Sequence, residues 1–100
     1  MDKFELDQRS IDMMTECGIP GYMHGGLIRY FNNRIPPGHF LTALLSNDFM
    51  EMISRADDTN THCLKAYAVW LYNYAPGRGS GMWGTPEAVE KWLAGREVAA

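Results

Sequence analysis

The chain has 100 residues, of which 46% are hydrophobic, 21% charged and 12% aromatic. Its formal net charge is only −3, so the broad basic surface that binds duplex nucleic acid is not expected. This length and composition disfavour a disordered chain and predict one core. We expect a single helical domain over residues 1–100, with an N-terminal helix and joint in 1–20 and the core in 21–95.

The cysteines and the first residues bear on the compartment. Cys17 and Cys63 have no neighbouring cysteine, and Met1 is followed by charged residues rather than by a basic and then apolar leader. The apolar runs are far shorter than the ~20 residues that cross a bilayer. We therefore expect a cytoplasmic protein with free thiols and no membrane partner.

The first third of the chain predicts two helices separated by a joint. An N-terminal helix is expected to end at Gly18, because glycine readily adopts the left-handed closing conformation. The glycines of residues 21–26 predict a flexible joint. A short helix follows and ends before Pro36, with Arg29 and Arg34 directed outward.

Apolar residues three and four apart predict an amphipathic helix after Pro37, which suits a first turn. They are Phe40, Leu41, Leu44, Leu45, Phe49, Met52 and Ile53. A break near Ser46-Asn47-Asp48 would divide this segment, which leaves two alternatives. The segment forms either one long helix or two short ones, with Ser46 or Asn47 as the cap of the second. The four-residue spacing of Glu51 and Arg55 favours an ion pair.

Residues 57–60 offer helix caps ahead of a helix with two apolar stripes, a pattern typical of a central helix. The glycines of residues 77–84 predict a loop, and Thr85-Pro86-Glu87 is a strong helix start before an end at Gly95. No segment predicts a strand. We therefore expect an all-α fold, a compact bundle of four to five short helices. Because its surplus apolar faces need cover, it should assemble into a homo-oligomer.

Several short motifs between Gly25 and Gly95 carry a resemblance to a known group. They are Gly26-Leu27, Arg29-Tyr30, Ile35-Pro36-Pro37-Gly38, Phe40-Leu41, Asn47-Asp48, Glu51, Arg55-Ala56-Asp57, Asn60, Leu71-Tyr72-Asn73, Pro76, Gly84-Thr85-Pro86-Glu87 and Trp92. The sequence resembles small uncharacterised helical accessory proteins of tailed phages and prophages. The resemblance implies phage origin and a place in the cytoplasm of an infected bacterial host. By analogy with small phage accessory proteins, it also suggests an anti-defence role.

The potential metal ligands are spread along the chain. They are His24, His39, His62, Cys17, Cys63 and several carboxylates. A structural zinc site usually has paired ligands two to five residues apart, whereas the neighbours His62 and Cys63 point to different faces of a helix. We therefore expect neither a metal nor a cofactor.

One pair of carboxylates has a spacing suited to hydrolysis. Asp48 and Glu51 lie one helical turn apart and could serve as acid and base, with Arg55 holding a phosphate. The plainer interpretation is a structural network of the same three residues. We favour that interpretation and expect no catalytic residue and no enzymatic activity.

Two stretches without acidic residues, 17–47 and 59–86, combine aromatic and basic side chains. Aromatic rings stack on nucleobases and arginines bind phosphate, so a pocket for a nucleotide-like anion is predicted. Its ligand-binding residues would be Arg29, His39, Arg55, Tyr74 and Arg78. The alternative is that most of the aromatic residues belong to the core.

Taken together, these patterns favour a non-enzymatic phage accessory protein. It would bind and sequester a small phosphate-containing nucleotide signal of the host. The alternative is a protein-binding inhibitor that docks a helix face rich in Trp and Met on a host factor.

Overall fold

The computed structural model describes residues 4–77 and 80–95. Within these ranges the chain forms seven α-helices and no strand. They are α1 Gln8–Cys17, α2 Gly21–Asn33, α3 His39–Leu45, α4 Phe49–Arg55, α5 Asp58–His62, α6 Leu64–Asn73 and α7 Pro86–Ala94. The all-α prediction is confirmed, but the helices outnumber the four to five expected because two predicted helices are interrupted.

Helix α1 is fixed at both ends by local chemistry. The Asp7 carboxylate accepts a hydrogen bond from the Ser10 backbone N–H, which caps the first turn. Gly18 adopts φ 99° and ends the helix as predicted. The Ser10 hydroxyl donates to the Tyr74 carbonyl at 2.7 Å, so α1 is tied to the end of α6.

The predicted joint at residues 21–26 is wrong, because these residues form the first half of α2. Packing overrides the low helix propensity of glycine. A Cβ at Gly26 would lie 3.0 Å from Leu41 Cδ1, so a glycine here lets α2 approach α3 closely. The outward direction expected for Arg34 is also corrected. Its guanidinium lies 3.7 Å from the centre of the Trp92 ring, a cation–π contact.

The region after Pro37 forms two short helices, the second of the alternatives predicted. Asn47 adopts φ 61°, a left-handed conformation that interrupts the helix. Asp48, rather than Ser46 or Asn47, caps α4 by accepting from the Glu51 N–H. Pro37 lies outside the first turn, since α3 begins at His39.

The helix predicted after residues 57–60 is likewise divided. Asp57 caps α5, and Cys63 separates α5 from α6. Only one face of α6 is buried, through Tyr67, Trp70 and Leu71. The expectation of a helix buried on two sides is therefore wrong, because the other face remains exposed.

Aromatic side chains hold the helices and the loop before α7 together. Each of the three tryptophan indoles donates to a backbone carbonyl: Trp70 to Ser10, Trp83 to Pro76 and Trp92 to Tyr30. The Gly84 N–H donates to the Leu45 carbonyl at 2.7 Å, which joins this loop to the end of α3. Helix α7 then starts at Pro86 with Thr85 as its cap and ends at Gly95, as predicted.

The described helices are all short. None of them has the length and apolar character needed to span a bilayer. Cys17 and Cys63 are both free thiols, as expected.

Candidate functional site: a polar cleft between α3 and α7

A cleft of about 610 Å³ opens between α3, the start of α4 and α7. Its lining consists of Pro36, Gly38, His39, Thr42, Ala43, Ser46, Asp48, Glu51, Pro86 and Leu93. We call it the α3–α7 cleft. Its volume lies within the roughly 300–1,000 Å³ typical of small-molecule sites.

One wall of the cleft is a polar row along α3. His39, Thr42 and Ser46 are spaced three and four residues apart, so they share one helix face. Among the described residues, none of these three side chains has a hydrogen-bond partner. The row therefore presents two hydroxyls and an imidazole with unused hydrogen-bonding capacity.

Ser46 is the most enclosed member of this row. Only 8% of its surface is exposed, and it lines the cleft. Buried polar side chains are normally hydrogen-bonded. No buried side-chain N or O atom of the described residues lacks a hydrogen-bond partner. The unpartnered Ser46 hydroxyl is therefore open to the cleft, although the residue as a whole is buried.

Besides His39, the ionisable residues of the cleft lining are the carboxylates Asp48 and Glu51. Asp48 Oδ1 accepts from the Glu51 N–H at 3.3 Å, which leaves its second oxygen unengaged within the described part of the chain. Glu51 Oε1 accepts from Arg55 Nε at 2.7 Å, which confirms the predicted ion pair. Because Glu51 is paired with Arg55, Asp48 carries the net negative charge of this part of the lining, which favours a cationic group over a phosphate.

The remaining surface of the cleft is apolar. Pro36, Ala43, Pro86 and Leu93 bring carbon surface from three parts of the chain. A ligand that fits the cleft would therefore combine an apolar body with polar groups at specific positions.

The structure brings only part of the predicted ligand-binding set to this cleft. His39 lines it, and Arg55 reaches it indirectly through the ion pair with Glu51. Arg29 is exposed on α2 with its guanidinium beside Gly25, and Tyr74 lies half-buried at the end of α6, below Arg9. Neither lines the cleft. Arg78 lies outside the described residues, so the set as a whole stays a prediction.

Sequence reasoning missed two members of the polar row. Thr42 was not singled out, and Ser46 was considered only as a helix cap. The available signal was their spacing with His39, which places three polar residues on one face of an otherwise apolar segment. This spacing indicates a site only once α7 is known to pack beside α3 and form the cleft.

The described residues contain no group of three or more His, Cys, Asp or Glu side chains placed to hold a metal ion together. Comparisons with protein-family models, with curated proteins and with solved structures find no match. The function is therefore argued from the chemistry of the cleft.

Proposed function

We propose that the chain is a non-catalytic binding protein that captures a small organic cation in the α3–α7 cleft. The observation that carries the proposal is the row of polar side chains without a protein partner among the described residues, which lines a cleft of small-molecule size. A ligand bonded to this row satisfies groups that are otherwise unpaired.

The lining specifies the chemical class of the ligand. An amine or guanidinium would lie near Asp48 and Glu51, and an apolar body would pack on Pro86 and Leu93. This is a different charge from the nucleotide-like anion expected from the sequence. A phosphate in the cleft would meet the free oxygen of Asp48, and Arg55 is already paired with Glu51.

The same two carboxylates support binding rather than catalysis. Asp48 is engaged as a helix cap and Glu51 as an ion-pair partner. Among the described residues, Asp48 keeps one free carboxylate oxygen, which is the group available to an amine. The two contacts lie within α4 and its cap, which agrees with the structural interpretation of this network.

The biological setting of this proposal comes from the phage resemblance. We place the capture of a small host-derived molecule in the cytoplasm of an infected bacterium, as a means of sequestration. Capture without turnover matches that role, because sequestration requires only that the protein bind its ligand.

The test is a titration with three small probes, followed by ¹H–¹⁵N NMR. They are phenethylamine, the anion phenylacetate, and adenosine monophosphate. Phenethylamine is expected to bind with a dissociation constant of about 1 mM, the strength that a fragment of its size can reach. Its largest shifts should appear at the amides of Thr42 and Ser46, and phenylacetate should bind at least about tenfold more weakly.

Two substitutions separate binding from stability. Glu51→Gln is expected to weaken phenethylamine binding about fivefold, and Ser46→Ala about threefold. Both variants should keep the wild-type free energy of unfolding to within about 1 kcal/mol, because they remove only an exposed ion pair and an unpartnered hydroxyl. Glu16→Gln, on the exposed surface of α1, is the matched control and should bind as the wild type does.

Two results would contradict the proposal. If adenosine monophosphate binds in the cleft more tightly than phenethylamine, the nucleotide prediction is the better one. If no probe shifts any amide of the cleft, the cleft is not a site for a small molecule of either charge.

A further inference from the structure

A second surface of the molecule is apolar and largely uncovered. Helix α4 buries none of its residues, although it is rich in apolar side chains. Phe49 is 63% exposed and Met50 75% exposed, and Ile53 is also exposed. A helix that leaves such side chains in water is typical of an interaction surface.

Helix α6 continues this surface on the far side of a groove. Val69 and Tyr72 are exposed and lie three residues apart, so they share one face of the helix. The groove between the helices has a volume of about 280 Å³ and is lined by Phe49, Met52, Ala68 and Tyr72, among others. We call this surface the α4–α6 face.

The size of the α4–α6 face favours a macromolecular occupant. A large side chain that is fully exposed presents about 200 Å² of surface. Scaled by their exposed fractions, the five exposed residues on α4 and α6 together present roughly 550 Å² of mostly apolar surface. That is more than half of the roughly 800 Å² that each partner buries in a stable interface.

The composition of the face differs from the one expected from the sequence. Trp70, Trp83 and Trp92 are all buried and bonded to backbone carbonyls. The tryptophans therefore belong to the core, and the exposed apolar side chains are those of Phe, Met, Ile, Val and Tyr.

Charges at the two ends of the face identify the occupant. Asp48 lines the groove at the start of α4. The loop bonds from Gly84 to Leu45 and from Trp83 to Pro76 place the C-terminal end of α6 beside this point. Lys65 lies in the first turn of α6, about 12 Å along the helix from its C-terminal end. It has no ion-pair partner among the described residues.

We propose that a second copy of this chain covers the α4–α6 face in a two-fold homodimer. A two-fold axis across the face sets Asp48 of each copy against Lys65 of the other, so one surface supplies both halves of two ion pairs. A face with an acid at one end and a base at the other is complementary to itself. Asp48 also lines the α3–α7 cleft, so the dimer is tested without a ligand.

Sedimentation velocity of the full chain without ligand tests the proposal. The wild type is expected to dimerise with a dissociation constant in the micromolar range, as weak interfaces of ordinary size do. Phe49→Ser, which removes exposed apolar surface, should weaken the dimer at least about tenfold.

A charge cycle tests the two-fold arrangement itself. Lys65→Glu sets like charges opposite each other and should weaken the dimer about tenfold. Asp48→Asn keeps a good helix cap and by itself should weaken the dimer about threefold. The double variant Asp48→Asn/Lys65→Glu should recover most of the affinity that Lys65→Glu loses, because no like charges then face each other. Glu16→Lys, a charge reversal on α1, is the matched control and should leave the dimer unchanged.

Each other outcome overturns the proposal. A chain that stays monomeric at about 1 mM, the weak limit of measurable association, leaves the α4–α6 face to a foreign protein. A dimer that is insensitive to Phe49→Ser is formed by another surface. A dimer that is weakened by Phe49→Ser but insensitive to Lys65→Glu uses this face in a different arrangement.

Discussion

Asp57 joins two helices through one side chain. Its Oδ1 accepts from the Asn60 N–H at 2.7 Å and caps α5, and its Oδ2 accepts from the Tyr22 hydroxyl of α2 at 2.6 Å. The Tyr22 hydrogen bond, followed by the Asn60 backbone bond, lowers the pKa of Asp57 below its ordinary value of 3.8. The same bond to Asp57 raises the pKa of Tyr22.

These shifts predict how acid affects the α2–α5 link. A lowered pKa means that the ionised Asp57 stabilises the fold above the ordinary carboxylate pKa, and that this contribution is lost as the pH falls through the folded value. Tyr22→Phe should therefore lower the Tm at pH 7, and its difference from wild type should shrink toward zero by about pH 2. Thermal melts from pH 7 to 2 measure this difference.

The Asp57→Asn background is the control for this prediction. There Tyr22→Phe should lower the Tm by a similar small amount at every pH, because no carboxylate remains to titrate. A Tm difference in the wild-type background that does not change with pH would show that the Tyr22 bond is not linked to the ionisation of Asp57.

At the scale of single elements, glycines have opposite roles within α2. Gly21 lies in the first turn, and a Cβ there would meet nothing within 4 Å. Gly26 lies against Leu41, which is fully enclosed in the core and has little room to move. A Cβ would therefore meet open space at Gly21, whereas at Gly26 it would press against Leu41.

The two positions give a matched pair of substitutions. Gly21→Ala is expected to stabilise the protein by up to about 0.5 kcal/mol, because alanine restricts the unfolded chain and favours helix. Gly26→Ala is expected to cost about 1–3 kcal/mol, the usual effect of overpacking. Urea denaturation of both variants measures the difference. Equal stabilisation by both would show that α2 and α3 are not closely packed.

At the scale of the whole molecule, α1 belongs to the same core as the later helices. Met14 of α1 is fully buried, and the Trp70 indole donates to the Ser10 carbonyl at 2.7 Å. The Cα radius of gyration is 12.9 Å, close to the value of about 13 Å typical of a compact domain of this length. We therefore expect the first helix to unfold together with the rest.

Truncation of a core methionine tests this cooperativity. Met14→Ala should reduce the free energy of unfolding by about 2–5 kcal/mol, because it leaves a cavity, and unfolding should remain a single transition. Met50→Ala, on the exposed face of α4, is the matched control and should change it by less than about 0.5 kcal/mol at concentrations where the chain is monomeric. A separate early transition reported by α1 would contradict the expectation.

The sequence by itself determined the features that depend on neighbours a few residues apart. The all-α class follows from apolar spacing, the end of α1 from Gly18, the start of α7 from Thr85 and Pro86, and the Glu51–Arg55 ion pair from its four-residue spacing. Each of these rests on backbone conformation or on contacts within one helical turn, which the local sequence specifies.

The tertiary structure decided the features that join distant parts of the chain. Residues 21–26 are helical despite three glycines, and Gly26 lies where a Cβ would come within 3.0 Å of Leu41 of another helix. Ser46 and Leu93 meet in the α3–α7 cleft only because α7 packs beside α3. Burial is a property of the assembled helices, so Ser46, which the local sequence offers as a helix cap, becomes a largely buried residue of the cleft lining in the fold.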